Sequence, residues 1–185
     1  MTIRPATPAD VPTVSKMVDK IAELHERWDS ARYDYKPNPG QMYRRWLTAR
    51  AGDPNSVFLV ADHERLMTDV PFLVGFLVGT IEEPIPIYRI EKFGFIHDLW
   101  VEEDYRHEGI ARQMTMLALE RFRELGCPQV RLETAAANEP ARKLFASCNF
   151  RPASIEMLVE LGPPPEAMPP QRRRSDDAAS GESRE

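Results

Sequence analysis

The residues most clearly arranged for chemistry lie in the turn Arg106-x-x-Gly109-x-Ala111, between a predicted buried strand and a predicted amphipathic helix. The first turn of a helix carries unpaired N–H donors and the positive end of the dipole, which suits an anion. Small residues at 109 and 111 allow a bulky anion to approach the backbone. The turn is therefore predicted to bind a pyrophosphate, to which the Arg106 side chain adds a charge-assisted contact. The backbone N–H groups predicted to bind it are those of Arg106, His107, Glu108, Gly109, Ile110 and Ala111.

Two groups able to exchange protons, His97 and Asp98, are adjacent in the strand before this turn. His97 is the better intrinsic base because imidazole titrates near neutral pH, although a hydrogen-bonded pocket histidine is an equal alternative. For Asp98, a structural or substrate-orienting role is favoured over base catalysis. Strand alternation predicts that His97 and Asp98 face opposite ways, His97 together with Phe95, Leu99 and Val101, and Asp98 together with Ile96 and Trp100.

A second strand, loop and helix follow at 130–134 and 138–150. Asn138 precedes Glu-Pro and is predicted to cap the helix that follows it, a role compatible with ligand contact. Together the two segments resemble the signature motifs of the GNAT superfamily of acyl-CoA-dependent N-acyltransferases. The family pattern is Arg/Gln-x-x-Gly-x-Gly/Ala followed by Asn-x-x-Ala-x-x-Leu-Tyr, and here the second motif runs from Asn138 to Phe145.

This resemblance implies an α/β fold, the GNAT fold, in which a central mixed and splayed β-sheet is flanked by helices. Acyl-CoA inserts its pantetheine arm where the fourth and fifth strands part. By the same resemblance, the strand residues that contact the cofactor are Leu99, Trp100 and Val101. Asn138 and Phe145 lie beside the lower part of the cofactor and its sulfur.

The implied reaction transfers an acetyl group from acetyl-CoA to a primary amine, in a small molecule or a peptide, by direct attack in a ternary complex. A base must take the proton of the amine, and a donor must stabilise the oxyanion. His97, Asp98 and the backbone N–H of Val101 are the residues expected to act in catalysis. Acceptor contacts are expected from the loop near Tyr88 and from Trp28, Asp29, Tyr33 and Tyr35.

The chain departs from the family pattern at Phe145, where most active members have a tyrosine that protonates the leaving thiolate. Cys148, one turn along, is a conceivable substitute, but a packed thiol is favoured. A thiol with a pKa near 8.5 leaves tolerably as the anion. The enzyme is therefore the preferred interpretation, and a non-catalytic acyl-CoA-binding regulatory module of the same fold is the alternative.

Composition narrows the functional classes. The chain has 185 residues and a formal net charge of −5, which favours one enzyme domain and argues against a general nucleic-acid binder. Cys127 and Cys148 show no metal-ligand spacing, so no metal is expected. With no apolar signal region or membrane span, the sequence predicts a cytoplasmic protein without membrane contact. A homodimer is left open.

The expected order of elements is β-α-α-β-β-β-α-β-α-β. A cap at Thr7-Pro8-Ala9-Asp10 is predicted to begin the first helix, which runs to about Trp28, and the second spans about 41–51. Gly126 is predicted to end the helix that follows the turn at 106–111. The alternating segment 155–161 is predicted to form a last strand with one buried face. We therefore expect a domain over 1–161 and a disordered tail rich in Pro, Arg, Ser, Asp and Glu over 162–185.

Overall fold

A five-stranded sheet with helices on both faces forms the centre of the protein. The computed structural model describes residues 1–63 and 72–162. The strands are β1 (Thr2–Pro5), β2 (Ser56–His63), β3 (Phe72–Glu82), β4 (Phe93–Val101) and β5 (Val130–Leu132). The helices are α1 (Val11–Trp28), α2 (Pro39–Arg50), α3 (Ile110–Glu124) and α4 (Glu139–Ser147).

The sheet is mixed, and it parts between its fourth and fifth strands. Strands β1 to β4 pair antiparallel in chain order, whereas β4 and β5 pair parallel. That last pairing covers only residues 94–96 of β4. The rest of β4, up to Val101, has no partner in β5. This arrangement confirms the mixed and splayed sheet predicted from the sequence.

Two apolar clusters hold the helices against the two faces of the sheet. Helices α1 and α2 pack on the face that presents Phe76 and Val78, and α3 packs on the face that presents Leu77 and Ile96. Phe122 of α3 lies directly on the backbone of two strands. A Cβ atom added at Gly79 or Gly94 would come within 2.9 or 2.6 Å of its ring. Because Gly79 and Gly94 have no side chains, α3 can pack close to β3 and β4.

Strand β4 contains a β-bulge at His97. Val78 of β3 pairs with Asp98, but the next residue, Gly79, pairs with Ile96. His97 is therefore an extra residue without a partner in β3, and a bulge of this kind interrupts the alternation of side chains. As a result, His97 and Asp98 both face the α1/α2 side, and the predicted opposite orientation is wrong.

The helix ends follow the signals in the sequence. Before α1, the Thr7 N–H and hydroxyl both donate to Asp10 Oδ2 at 2.8 Å, and Arg4 Nη1 approaches the same oxygen at 2.8 Å. Helix α3 ends at a left-handed Gly126 with φ of 75°. The N–H of Gly126 donates to Arg123 and that of Cys127 donates to Phe122, as in a Schellman motif.

The predicted last strand does not form. Residues 151–162 have no regular structure, and the apolar side chains expected to be buried are exposed, with Ile155 at 85% and Met157 at 87%. A strand needs a partner along its length, and the edge strand β5 has only three residues. The predicted tail lies outside the described residues except for Gly162. Within the described part of the chain, no helix is long and apolar enough to cross a bilayer.

Asp10→Asn tests the junction between β1 and α1. Burial opposes ionisation of Asp10, but the hydrogen bonds from Arg4 and Thr7 outweigh it and hold the pKa below its ordinary 3.8. Stability from such a carboxylate is present above the unfolded pKa and is lost as pH falls through the lower folded pKa. We expect the substitution to cost about 1–3 kcal/mol at neutral pH.

The measurement is urea unfolding at neutral and acidic pH. The difference from the parent protein should narrow as pH falls below 3.8. Glu124→Gln, which removes an exposed helical pair with Arg121, is the control and should cost less than about 0.5 kcal/mol. An equal loss of unfolding free energy in both variants would contradict the stabilising role assigned to the Asp10 carboxylate.

Candidate active site

Six consecutive backbone N–H groups are unpaired within the described residues at the start of α3. Those of residues 107–112 have no hydrogen-bond partner among the described residues, whereas that of Arg106 donates to Glu103 O at 3.2 Å. The row thus begins one residue later than predicted and extends to Arg112. Left-handed conformations at His107 (φ 68°) and Gly109 (φ 81°) shape the turn. Such concave rows of N–H groups bind anions.

The edge of β4 beyond the bulge also offers unpaired backbone groups. Glu102 N donates to Val74 O on β3 at 2.8 Å, so alternation turns the backbone groups of Leu99 and Val101 to the other side. That side is the gap left by β5. Val101 O accepts from Arg106 Nε at 3.0 Å, which leaves the Val101 N–H and both groups of Leu99 free within the described chain.

A cavity of about 600 Å³ opens on the α1/α2 side of this gap. Its walls come from α1, α2, the connection between them, β4 and the residues just after β5. His97 and Asp98 both line it, together with Glu133 and Thr134. The bulge therefore places the two predicted proton-exchanging residues on the same cavity.

The His97 ring is held by polar and aromatic neighbours. Its Nε2 lies 2.7 Å from the Thr80 hydroxyl and 3.7 Å from Glu82 Oε1. Trp46 contacts the ring edge-on at 5.1 Å between centroids. Burial lowers the pKa of His97 below its ordinary value, against the opposing charge of Glu82. The imidazole is therefore neutral, and able to accept a proton, at neutral pH.

Asp98 faces Tyr43 of α2. Burial raises the pKa of Asp98 to about 6, and the hydrogen bond with Tyr43 counteracts part of the rise. Burial and the neighbouring Asp98 charge raise the pKa of Tyr43 in turn, so Tyr43 donates the bond. At neutral pH the carboxylate is mostly ionised and gives the cavity a negative group.

An aromatic cluster forms the far wall of the cavity. His25 packs against Trp28 and Tyr33 at 5.4 and 4.6 Å between ring centroids, and its Nδ1 lies 3.2 Å from the Tyr35 hydroxyl. Of the predicted acceptor-contacting residues, Tyr33 and Tyr35 line the cavity. Tyr88 is exposed elsewhere and does not line it.

The remaining predicted cofactor residues are placed as follows. Asn138 caps α4, with its Oδ1 accepting from Ala141 N at 3.1 Å. Phe145 is 8% exposed and packs edge-on against Phe150 at 5.6 Å. The Trp100 ring packs with the α1/α2 cluster, beneath the Arg106 guanidinium at 4.7 Å. Its backbone groups face β3, where Trp100 pairs with Phe76, and not the gap.

The sequence reasoning missed four residues at the site: Tyr43, Trp46, Thr80 and Glu82. Tyr43 and Trp46 are three apart on one helix face, and Thr80 and Glu82 are two apart on one strand face. These spacings show that the members of each pair are neighbours. They do not show which strand the pair meets. Both cysteines, Cys127 and Cys148, are buried free thiols.

Two relatives of the chain are named as acetyltransferases. The chain is 25% identical to N-alpha-acetyltransferase 30 of Saccharomyces cerevisiae over 138 residues, 75% of this chain and 67% of that protein. It is 28% identical to mycothiol acetyltransferase of Thermomonospora curvata over 112 residues, 60% of this chain but only 33% of that protein. A variant of the BH1408 protein from Bacillus halodurans has the same fold, with TM-score 0.75, 21% identity, and coverage of 87% and 99% of the two chains.

The model of the acetyltransferase (GNAT) family matches residues 20–150, most of the chain. The match includes β4, the turn before α3, and α4 up to Phe150. The cavity, the open strand edge and the row of free N–H groups all come from this stretch together with α1. The chain therefore belongs to the GNAT family of acetyltransferases.

Proposed function

We propose that the protein is an N-acetyltransferase that moves an acetyl group from acetyl-CoA to a primary amine by direct attack in a ternary complex. The observation that carries the proposal is the open edge of β4, which joins the N–H row at 107–112 to the cavity containing His97 and Asp98. An extended thioester lying along that edge would have its phosphates at the row and its acyl group at the cavity.

Chemically, the residues fit acyl-CoA. The free C=O of Leu99 and the free N–H of Val101 match the alternating amides of a pantetheine arm, as an added strand would. The pyrophosphate would accept from residues 107–112. The terminal guanidinium nitrogens of Arg106, which lie over the Trp100 ring, have no hydrogen-bond partner in the described chain. Bound acyl-CoA supplies an activated thioester carbonyl.

Each chemical need of the reaction has a candidate group in this chain. His97 takes the proton of the attacking amine, since it is neutral at neutral pH and faces the cavity. The oxyanion is stabilised by the N–H of Leu99 rather than that of Val101 expected from the sequence, because Leu99 lies nearer to His97 along β4. One such donor contributes about 2.7–4 kcal/mol. Asp98 attracts the cationic amine before it loses its proton. The thiolate leaves without an acid, because Phe145 has none to offer.

The acceptor is an amine that fits an acidic and aromatic cavity. Asp98 and Glu133 give the lining negative groups, and Tyr33 and Tyr35 give flat aromatic ones that suit a cation. One relative is named as an N-alpha-acetyltransferase and the other as a mycothiol acetyltransferase. Both a peptide amine and a small-molecule amine therefore remain candidates for this chain.

Gly109→Asp tests the pyrophosphate turn. A Cβ at Gly109 would meet nothing within 4 Å, so the substitution introduces no clash, although the left-handed φ of 81° adds some strain. The new carboxylate would repel the pyrophosphate. We expect CoA affinity, measured by calorimetry, to fall by at least about tenfold, which corresponds to about 1.4 kcal/mol.

Two controls separate charge from shape. Gly109→Asn has nearly the same shape without the charge and should retain more affinity than Gly109→Asp. Gly52→Asp adds the same charge at another open position and should bind CoA like the parent protein. Unchanged affinity in Gly109→Asp would refute the assignment of the turn.

His97→Ala and Asp98→Asn distinguish the base from the residue that attracts the amine. We expect His97→Ala to lower kcat/KM by about 10²–10⁴-fold, and to remove the ionisation of His97 from the acid limb of the pH profile. Asp98→Asn should raise the KM for the amine more than it lowers kcat. Full activity of His97→Ala across pH would leave His97 as a pocket residue only.

Stability provides a second measurement on Asp98. Because its folded pKa of about 6 exceeds the ordinary 3.8, the ionised form destabilises the fold, increasingly as pH rises from 3.8 to about 6. Asp98→Asn should therefore stabilise the protein by about 1–3 kcal/mol above that range, and by little below it.

Phe145→Tyr tests the missing acid. If this position matches the family's tyrosine, one added hydroxyl should assist thiolate departure and raise turnover without changing CoA affinity. The rate would stay unchanged if another step limits it. Phe145 is nearly buried, so loss of folding would show an enclosed position where an unpaired hydroxyl costs about 1–3 kcal/mol. Acetylation by the tyrosine variant alone would favour the non-catalytic module.

A further inference from the structure

A hydrogen-bond network of three side chains connects Glu82 and Thr80 of β3 to the ring of His97. The Thr80 hydroxyl donates to Glu82 Oε1 at 2.6 Å, and the same oxygen of Thr80 lies 2.7 Å from His97 Nε2. Thr80 is 5% exposed, whereas the Glu82 side chain is 45% exposed. The three groups are thus connected at the edge of the cavity, with the carboxylate nearest to solvent.

The protons available to these three side chains determine which group donates in each of the two hydrogen bonds. A carboxylate accepts only, and a threonine hydroxyl carries one proton. At 2.6 Å from Glu82 Oε1, that proton must lie between the two oxygens. The Thr80 oxygen can then meet His97 Nε2 only as an acceptor, so Nε2 carries a hydrogen.

We infer that Thr80 and Glu82 are positioning residues that keep the proton of neutral His97 on Nε2 and leave Nδ1 as the atom that accepts a proton. The inference rests on the proposed role of His97 as the base, because its kinetic consequences need that role. Nδ1 has no partner among the described residues. It is therefore the ring nitrogen open to an incoming amine.

Thr80 and Glu82 also stabilise the charged imidazolium ring that forms during the reaction. When Nδ1 takes a proton from the amine, the imidazolium keeps its Nε2–H bond to Thr80, and its charge lies 3.7 Å from Glu82. Arg50 on α2 opposes this charge, and Asp98 is the adjacent carboxyl on β4. Trp46 and Phe95 restrict the ring at 5.1 and 5.0 Å between centroids.

The first test observes the tautomer directly. Nitrogen-15 spectra of the full chain report which ring nitrogen of each histidine carries hydrogen, and the chain has only four histidines. His97→Gln assigns the signal. Above the pKa of His97 we expect Nε2–H in the parent protein and in Thr80→Ser, and a mixture of tautomers in Thr80→Val. Glu82→Gln should also give a mixture, because an amide can donate to Thr80 and release its hydroxyl to face Nε2.

The second test is kinetic, with an amine that the parent enzyme acetylates. Thr80→Val should lower kcat by about tenfold, the order of one lost hydrogen bond to a charged group, and Thr80→Ser should restore it to within about twofold. Since Glu82 raises the pKa of His97, Glu82→Gln should move the acid limb of the pH profile to lower pH. Removal of a merely structural contact would not move that limb.

The outcomes separate this inference from the proposed function. A parent protein with Nδ1–H, or a Thr80→Val variant that retains Nε2–H and the full rate, would overturn the inference whether or not the enzyme acetylates amines. Conversely, a tautomer that depends on Thr80 in a protein inactive with every amine would leave the inference standing and remove the role of base. If Thr80→Val does not fold, Glu82→Gln decides both measurements, because Glu82 is half-exposed.

Discussion

One extra residue in β4 determines the geometry of the site. Without the bulge at His97, His97 and Asp98 would lie on opposite faces of the sheet, and the backbone groups of Asp98 and Trp100 would face the gap beside β5. With it, both side chains face the cavity, and the free backbone groups belong to Leu99 and Val101. A single bulge thus aligns the proposed base, a carboxylate and an unpaired strand edge at one place.

The rest of the fold supports this strand from both faces. Phe122 lies against Gly79 and Gly94, which brings α3 close to the sheet and holds the N–H row near the end of β4. On the other face, α2 presents Tyr43 to Asp98 and Trp46 to His97. The arrangement has a thermodynamic cost, since a buried carboxylate with a raised pKa destabilises the fold at neutral pH. Such costs are typical of functional sites.

Local signals predicted local features well. The cap at Thr7, the helix stop at Gly126 and the cap at Asn138 form as expected, because each depends on residues within one turn. The turn before α3 also forms near its predicted position for this reason. By contrast, the alternating segment 155–161 indicates a strand without naming a partner, and β5 is too short to provide one. Alternation reports a pattern of side chains, while a strand requires another backbone.

The sequence by itself therefore determined the order of helices and strands up to α4, the helix ends, the turn before α3 and, through its motifs, the family. All of these depend on neighbours in the chain or on residue identity at short spacing. Only the tertiary structure decided which residues surround His97 and Asp98, because Tyr43, Trp46, Thr80 and Glu82 come from other elements. The bulge itself is a property of pairing between β3 and β4, and no pattern within β4 alone reveals where its partner slips by one residue.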